Sequence, residues 1–328
     1  MTSMMSQIDE IKGPIKDNIE EFERYYGRML SSPIPHIRRM VDFIIAGGGK
    51  HMRPIFLLLS AALHGSITEE TYISASLIEI THTASLVHDD VIDEAYRRRS
   101  RWSVNALWRS HQAVLIGDFM LARGIRVATE RGLYHLVETM SSVMESMSAG
   151  ELLQSDMSQR LSVSRDDYFE VVRSKTALLL ASAAEAGAVS VGASPDHCAR
   201  MKRLGELIGT AFQIRDDIID YSAPDIIGKP SCGDIRERKM TLPLIEALLS
   251  VSKGDRDHIL SHLMRADSDT ASLDKVKSFV IERGGLDKAA AVMRSLADEA
   301  CALLACYDDT PVKRSLELFV DYAVTRDK

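Results

Sequence analysis

Two stretches of this chain carry residues suited to chemistry: Leu86-Val87-His88-Asp89-Asp90-Val91-Ile92-Asp93 and Gln213-Ile214-Arg215-Asp216-Asp217-Ile218-Ile219-Asp220. Each is an Asp-Asp-x-x-Asp that closes a long apolar segment of helical period. On a helix Asp89 and Asp93 stand one above the other, with Asp90 turned about 100° aside. Stacked carboxylates repel, and at a helix C-terminus they also oppose the macrodipole. A cation must offset both. Oxygen-only ligands suit a hard divalent ion, and Mg2+ takes one or two protein carboxylates and completes its shell with water and substrate phosphates. A single copy of the motif reads equally well as a solvated helix end. Two matched copies closing apolar helices point instead to Mg2+ ions gathered around a diphosphate.

A basic complement is present. Gly47-Gly48-Gly49-Lys50-His51-Met52-Arg53-Pro54 offers a pliable loop, two cations and a proline suited to the first position of a helix. Its backbone N–H groups, with Lys50 and Arg53, make an anion site. The GxxxxGK[ST] spacing of a nucleotide-binding loop is absent. Arg97-Arg98-Arg99 begins four residues after Asp93 and is read as contacting phosphate rather than as a solvated loop. Lys175-Thr176, Lys229 and Lys239 add cations at or near helix ends.

The elements that must position these groups are helices. Apolar residues recur at helical spacing, and no convincing period-2 strand appears. Gly, Pro and Ser clusters divide the chain into about eleven to thirteen helical segments, of which 72–87 and 176–191 are nearly apolar and belong inside a bundle. With 45% hydrophobic residues the 328-residue chain can bury a large core, while 6% aromatics and few turn residues disfavour a β-sandwich or barrel. No linker or repeat interrupts it, so 1–328 reads as a single all-α domain whose residues 1–30 form an N-terminal helical segment. A net charge of −7 disfavours a general nucleic-acid binder. Cys198, Cys232, Cys301 and Cys306 form no CxxC and read as free thiols of a reducing compartment. With no apolar signal region and no run long enough to span a bilayer, the expected location is the cytoplasm.

From about residue 34 to the C-terminal Asp321-Tyr322-Ala323-Val324-Thr325-Arg326-Asp327, the chain resembles the trans-type isoprenyl diphosphate synthases, or polyprenyl synthetases, most of all their long-chain, octaprenyl-forming bacterial members. The blocks that carry the resemblance are Gly48-Gly49-Lys50-x-x-Arg53-Pro54, His82-Thr83-Ala84-Ser85-Leu86 through Asp93, Arg98-Arg99, Gly117-Asp118-Phe119, Ser174-Lys175-Thr176, Gly209-Thr210-Ala211-Phe212-Gln213 through Asp220, and Gly228-Lys229-Pro230. The resemblance implies an all-helical bundle around a deep central cavity, Mg2+ dependence with three ions per active site, and a homodimer. By position it makes Asp89, Asp93, Asp216 and Asp220 metal ligands, with Asp90 and Asp217 completing shells or ordering water. Lys50, Arg53, His82 and Arg99 match the isopentenyl diphosphate site. Arg98, Lys175, Gln213, Lys229 and Lys239 match the allylic diphosphate site, and Thr176 joins Gln213 in stabilising the allylic cation. On residue type alone His82 would read as a satisfied core histidine. The pattern departs at Ser100, Cys232 and Arg238, where glycine is frequent, and at His51-Met52, where Lys-Arg or Arg-Ile is usual.

The reaction so implied joins an allylic diphosphate, farnesyl diphosphate being the expected primer, to isopentenyl diphosphate, with no side-chain general base. A terpene cyclase would share the ionisation but usually keeps only one Asp-rich motif. A non-catalytic subunit of a heteromeric synthase tends to lose both motifs. In short-chain relatives a bulky residue about one turn before the first motif closes the product tunnel, whereas Ser85, Ala84 and, a turn further, Thr81 are small here. The expected product is therefore long, roughly 35 to 50 carbons at about one helical turn per five-carbon unit, with octaprenyl diphosphate the central value and a short-chain synthase the alternative. Ala84→Tyr is expected to shorten it. The tunnel floor is assigned to the helix after Asp118.

Overall fold

Local capping chemistry decides where the site-bearing helices start and stop. Thr68 Oγ1 accepts the Thr71 N–H while Thr71 Oγ1 accepts the Thr68 N–H, a reciprocal cap that opens the helix Glu69–Ile92 with two acids in its first turn. At its other end Glu94 adopts φ 49°, and the Glu94 and Ala95 N–H groups reach back to the Val91 and Asp90 carbonyls. This Schellman turn stops the helix directly after Asp93. The second motif lies in the last turns of Pro195–Ser222, which begins with a proline.

In the computed structural model, residues 2–98, 101–161, 164–222 and 232–326 are described, those at 2–6 and 222 without side chains. In chain order the helices are α1 Thr2–Lys12, α2 Lys16–Leu30, α3 Pro35–Ala46, α4 Met52–His64, α5 Glu69–Ile92, α6 Val104–Glu130, α7 Tyr134–Arg160, α8 Arg165–Val172, α9 Leu178–Val189, α10 Pro195–Ser222, α11 Gly233–Arg236, α12 Leu242–Leu249, α13 Lys253–Leu263, α14 Thr270–Glu282, α15 Gly285–Leu304 and α16 Pro311–Thr325. The chain is all-α, as its periodicity suggests. Helices among the described residues outnumber the expected segments because Gly13-Pro14 breaks the N-terminal one into α1 and α2, and a π-helical turn at Arg173–Ala177 separates α8 from α9. A minimal antiparallel ribbon, β1 Arg97–Arg98 and β2 Arg101–Trp102, departs from the strand-free expectation. Two-residue strands are too short to show a period.

The helix α5 is buried round most of its circumference, from Ile73 through Asp90, and packs on α2, α4, α6, α7 and α9. Such a helix has little amphipathicity because it has almost no solvent face. Its core continues through α4 and α9, whereas α8, α12, α13 and α14 build a second cluster, and Leu296 of α15 packs against both. Cys198, Cys301 and Cys306 are free thiols.

One residue of α6 is out of keeping. Arg109 has φ 66° and ψ 160°, non-helical values inside Val104–Glu130. That region is nearly exclusive to glycine. Arg109 is exposed and replaceable, so Arg109→Gly is expected to raise unfolding free energy by about 1–2 kcal/mol, strain relief exceeding the added entropy of the unfolded chain. Denaturant unfolding checks it. An unchanged midpoint would mean that the kink is unstrained.

Candidate active site

The two acidic motifs differ in what each carboxylate touches. In the first, Asp90 is buried and accepts Arg98 Nε at 2.8 Å. It thereby holds Arg98 from β1 beside the helix end. Asp93 is exposed. Asp89 is half-buried, and burial followed by the charge of Glu151 raises its carboxyl above the ordinary range, against the pull of Lys175. Neighbouring His88 lies 3.1 Å from the Val114 carbonyl and 3.5 Å from Asp118. A Cβ at Gly117 would come within 2.2 Å of that imidazole. The Gly117-Asp118 pair thus lets α6 close on α5 beside the end that carries the acidic motif. Asp118 sits in the middle of α6, so the segment after it is the same helix rather than a new one.

In the second motif Asp217 is buried and accepts Tyr168 Oη at 2.6 Å and Gln213 Nε2 at 3.1 Å. Thr176 Oγ1 donates to Gln213 Oε1 at 3.0 Å, which fixes the amide orientation. Burial first, then Asp234, pushes the Asp217 carboxyl up to about 7 despite those hydrogen bonds. Asp217, like Asp90, is engaged by side-chain donors. Asp220, expected as a ligand, has both oxygens engaged by backbone: Oδ1 accepts the Gly233 N–H at 3.1 Å and Oδ2 the Asp234 N–H at 3.0 Å, which ties it to the start of α11. The Asp216 carboxylate accepts a bond from Arg326, whose guanidinium also lies 3.6 Å from the Phe212 ring centroid.

The π-helical turn presents Lys175 and Thr176. Such turns widen a helix locally and recur at functional sites. Lys175 Nζ reaches Gln154 Oε1 at 2.8 Å and Glu151 Oε2 at 2.5 Å. Close crossing by α10 makes the arrangement possible: a Cβ at Gly209 would lie 2.6 Å from Ala177 Cα. Gly209→Ala is expected to cost about 1–3 kcal/mol by overpacking and to loosen the Thr176–Gln213 bond. Urea unfolding is the check, and a cost below about 0.5 kcal/mol would mean that the helices part freely.

Two cavities flank the motifs. The larger, about 660 Å³, is lined by the 47–49 loop, Lys50, Arg53, His82, Arg98 and Arg326. Lys50 Nζ donates to Tyr322 Oη at 2.7 Å. Arg98, assigned from sequence to the allylic side, thus lies with the isopentenyl set, because Asp90 draws it there. The smaller, about 90 Å³, is lined by Lys175, Thr176, Gln213, Asp217, Asp234 and Lys239. Asp234 and Glu237 flank Lys239, and although burial works against the charge, they hold the ammonium well above its ordinary value. Pro54, expected first in its helix, is third, still within the turn that needs no N–H. Arg99, Ser100, Gly228, Lys229 and Pro230 lie outside the described residues. Cys232 and Arg238, noted where glycine is frequent, have φ 59° and 56°, which is the physical basis of that preference. Of the chain-length positions Ala84 is 0% and Thr81 3% exposed, while Ser85 alone keeps an accessible face.

Sequence reasoning missed Glu151, Gln154, Tyr168, Asp234 and Arg326. The i, i+3 pair Glu151 and Gln154 in α7 was a usable signal; the others meet the site only through tertiary contact.

The donor set fits Mg2+. Among the described residues no three Asp, Glu, His or Cys side chains converge on a point by themselves. That suits an ion which takes one or two carboxylates and draws the rest of its shell from phosphate and water. The Arg326 guanidinium bonds Asp216, and burial, then Glu151, raises the Asp89 carboxyl.

The polyprenyl synthetase family model matches residues 34–280. The chain is 31% identical to octaprenyl diphosphate synthase of Escherichia coli over 91% of its own length and 93% of that protein's. It is 33% identical to a short chain isoprenyl diphosphate synthase of Methanothermobacter thermautotrophicus over 88% and 90%. The structure of a polyprenyl synthase from Caulobacter crescentus, complexed with calcium and isoprenyl diphosphate, superposes with a TM-score of 0.89 at 31% identity, covering 98% of each chain. Paired Asp motifs, a cavity lined by Lys50, Arg53 and Arg98 beside the first of them and this extent of similarity agree: the chain belongs to the polyprenyl synthetase family and is a trans-polyprenyl diphosphate synthase, a transferase of prenyl groups.

Proposed function

We propose that this enzyme adds isopentenyl diphosphate repeatedly to an allylic primer, farnesyl diphosphate, to give an all-trans product of roughly 35 to 50 carbons, octaprenyl diphosphate being the central value at about one helical turn of wall per unit. The observation that carries the length is Ser85, a small side chain with an accessible face one turn below Asp89.

Lys50, Arg53 and His82 hold isopentenyl diphosphate in the larger cavity, and Lys175 and Lys239 hold the primer's diphosphate in the smaller. Asp89, Asp93 and Asp216 would hold Mg2+, three ions per site, which neutralises charge on the departing pyrophosphate. The oxygen dipoles of Thr176 and Gln213 face the allylic carbon as positive charge develops on it. Positioning of the isopentenyl double bond replaces a nucleophilic side chain. No helix among the described residues is long and apolar enough to cross a membrane, in keeping with work in the cytoplasm. A homodimer would cover the exposed Leu107, Val114 and Leu115 of α6.

The purified chain, incubated with Mg2+, labelled isopentenyl diphosphate and farnesyl diphosphate, is expected to yield polyprenols near octaprenol after dephosphorylation and chromatography. Products ending at about 20 carbons would overturn the length, on the same turn-per-unit scale. Cyclic hydrocarbon formed without isopentenyl diphosphate, or no turnover by the chain alone, would overturn the reaction. In the same assay Lys50→Ala or Arg53→Ala should raise the KM for isopentenyl diphosphate far more than for the primer, and Lys239→Ala the reverse. Equal effects would mean that the two sites are wrongly divided.

A further inference from the structure

His51 lies between Lys50 and Arg53 and lines the same cavity. Its backbone is left-handed, φ 50° and ψ 38°, a region disfavoured for any residue with a Cβ. Its side chain is tied down. Nδ1 lies 2.9 Å from Glu79 Oε1, and Glu79 is buried in α5 at 6% exposure. The rings of Phe22 and Tyr26 stand edge-on to the imidazole at 5.8 and 6.3 Å. Burial, then Glu79, pushes the Tyr26 hydroxyl well above its ordinary value. A buried carboxylate requires a hydrogen-bonded partner, and His51 supplies one from the loop that carries the cavity's cations. The loop also turns tightly over the ring, since a Cβ at Gly48 would meet Ile45 O at 2.9 Å and His51 Nε2 at 3.5 Å.

We propose that the His51–Glu79 pair fixes the 47–53 loop in its diphosphate-binding shape and so sets the affinity for isopentenyl diphosphate. This rests on reading the larger cavity as the isopentenyl diphosphate site. His51 is a positioning residue that acts through Lys50 and Arg53. Its imidazole is held by Glu79 from α5 and by the rings of α2, while Lys50 and Arg53 adjoin it in the chain. Without the Glu79 contact the loop loses this tie to α5.

The test measures kcat and the KM values for isopentenyl and farnesyl diphosphates in wild type, His51→Ala, His51→Arg and Glu79→Gln. His51→Ala is expected to raise the KM for isopentenyl diphosphate about tenfold while kcat and the primer's KM move by less than about twofold, the loss of one bond between loop and helix. His51→Arg keeps a donor toward Glu79 and should restore the low KM. Glu79→Gln should raise the same KM by a smaller factor. An unaltered KM for isopentenyl diphosphate in His51→Ala, or equal effects on both substrates, would overturn the inference. Absence of any wild-type turnover with isopentenyl diphosphate would instead overturn the reading of the site. If His51→Ala does not fold, Glu79→Gln decides, and an unaltered KM there would overturn the inference.

Discussion

Asp89→Ala is expected to lower turnover about a thousandfold or more while leaving the fold intact, because electrostatic stabilisation of the leaving group is commonly the largest catalytic contribution. The structure makes the two halves of this expectation separable. Asp89 is half-buried near Glu151 and Asp93, and burial first, then the charge of Glu151, raises its carboxyl above the ordinary range. Removing that carboxylate relieves repulsion, so thermal stability without Mg2+ should hold or rise. Asp90→Ala differs, since it leaves Arg98 without its 2.8 Å partner and vacates a buried position, which costs about 1–3 kcal/mol or more. Asp216→Ala would likewise orphan Arg326, which is 8% exposed; Asp216→Asn is the cleaner replacement. Turnover of purified Asp89→Ala with saturating Mg2+, set beside its melting temperature, is the deciding pair of measurements. Turnover within tenfold of wild type would remove Asp89 from the metal site, and a collapsed melting temperature would make its role structural.

Ser85→Tyr is expected to convert the enzyme to a product of about 15 or 20 carbons while retaining condensation, because the ring would fill the wall about one turn below Asp89. Sequence alone offered Ala84 for this experiment. The structure transfers it to Ser85: Ala84 has no exposed surface, so a tyrosine there overpacks the core, at about 1–3 kcal/mol or more, and would confuse a shortened product with a damaged fold. Ser85 keeps an accessible face, and its hydroxyl serves only the His82 carbonyl one turn back in its own helix. Chromatography of dephosphorylated products from wild type and Ser85→Tyr under identical primer and Mg2+ gives the answer. Unchanged length in the variant would mean that the growing chain does not pass this position.

What the sequence determined by itself was whatever spacing along one helix can encode. The 3.6-residue period and the breaks at Gly, Pro and Ser gave the all-α architecture. The i, i+4 relation of Asp89 and Asp93 gave a stacked acidic end that needs a cation. The family resemblance marked Cys232 and Arg238 as positions where glycine is frequent, and both prove left-handed. Tertiary structure alone decided which carboxylates face outward. Asp216 and Asp220 occupy corresponding places in an acidic motif, yet Asp220 is spent on the backbone of α11 while Asp216 meets an arginine 110 residues away. Nothing in the spacing of Asp90 and Asp217 announces their bonds with Arg98, Tyr168 and Gln213. Glu151 gave no hint of Asp89, though both act on Lys175. The reason is physical. Helical periodicity fixes the direction of a side chain relative to its own axis, but a carboxylate's state depends on the donors and charges brought within a few ångströms by helices that cross it, and that is set by packing rather than by local spacing.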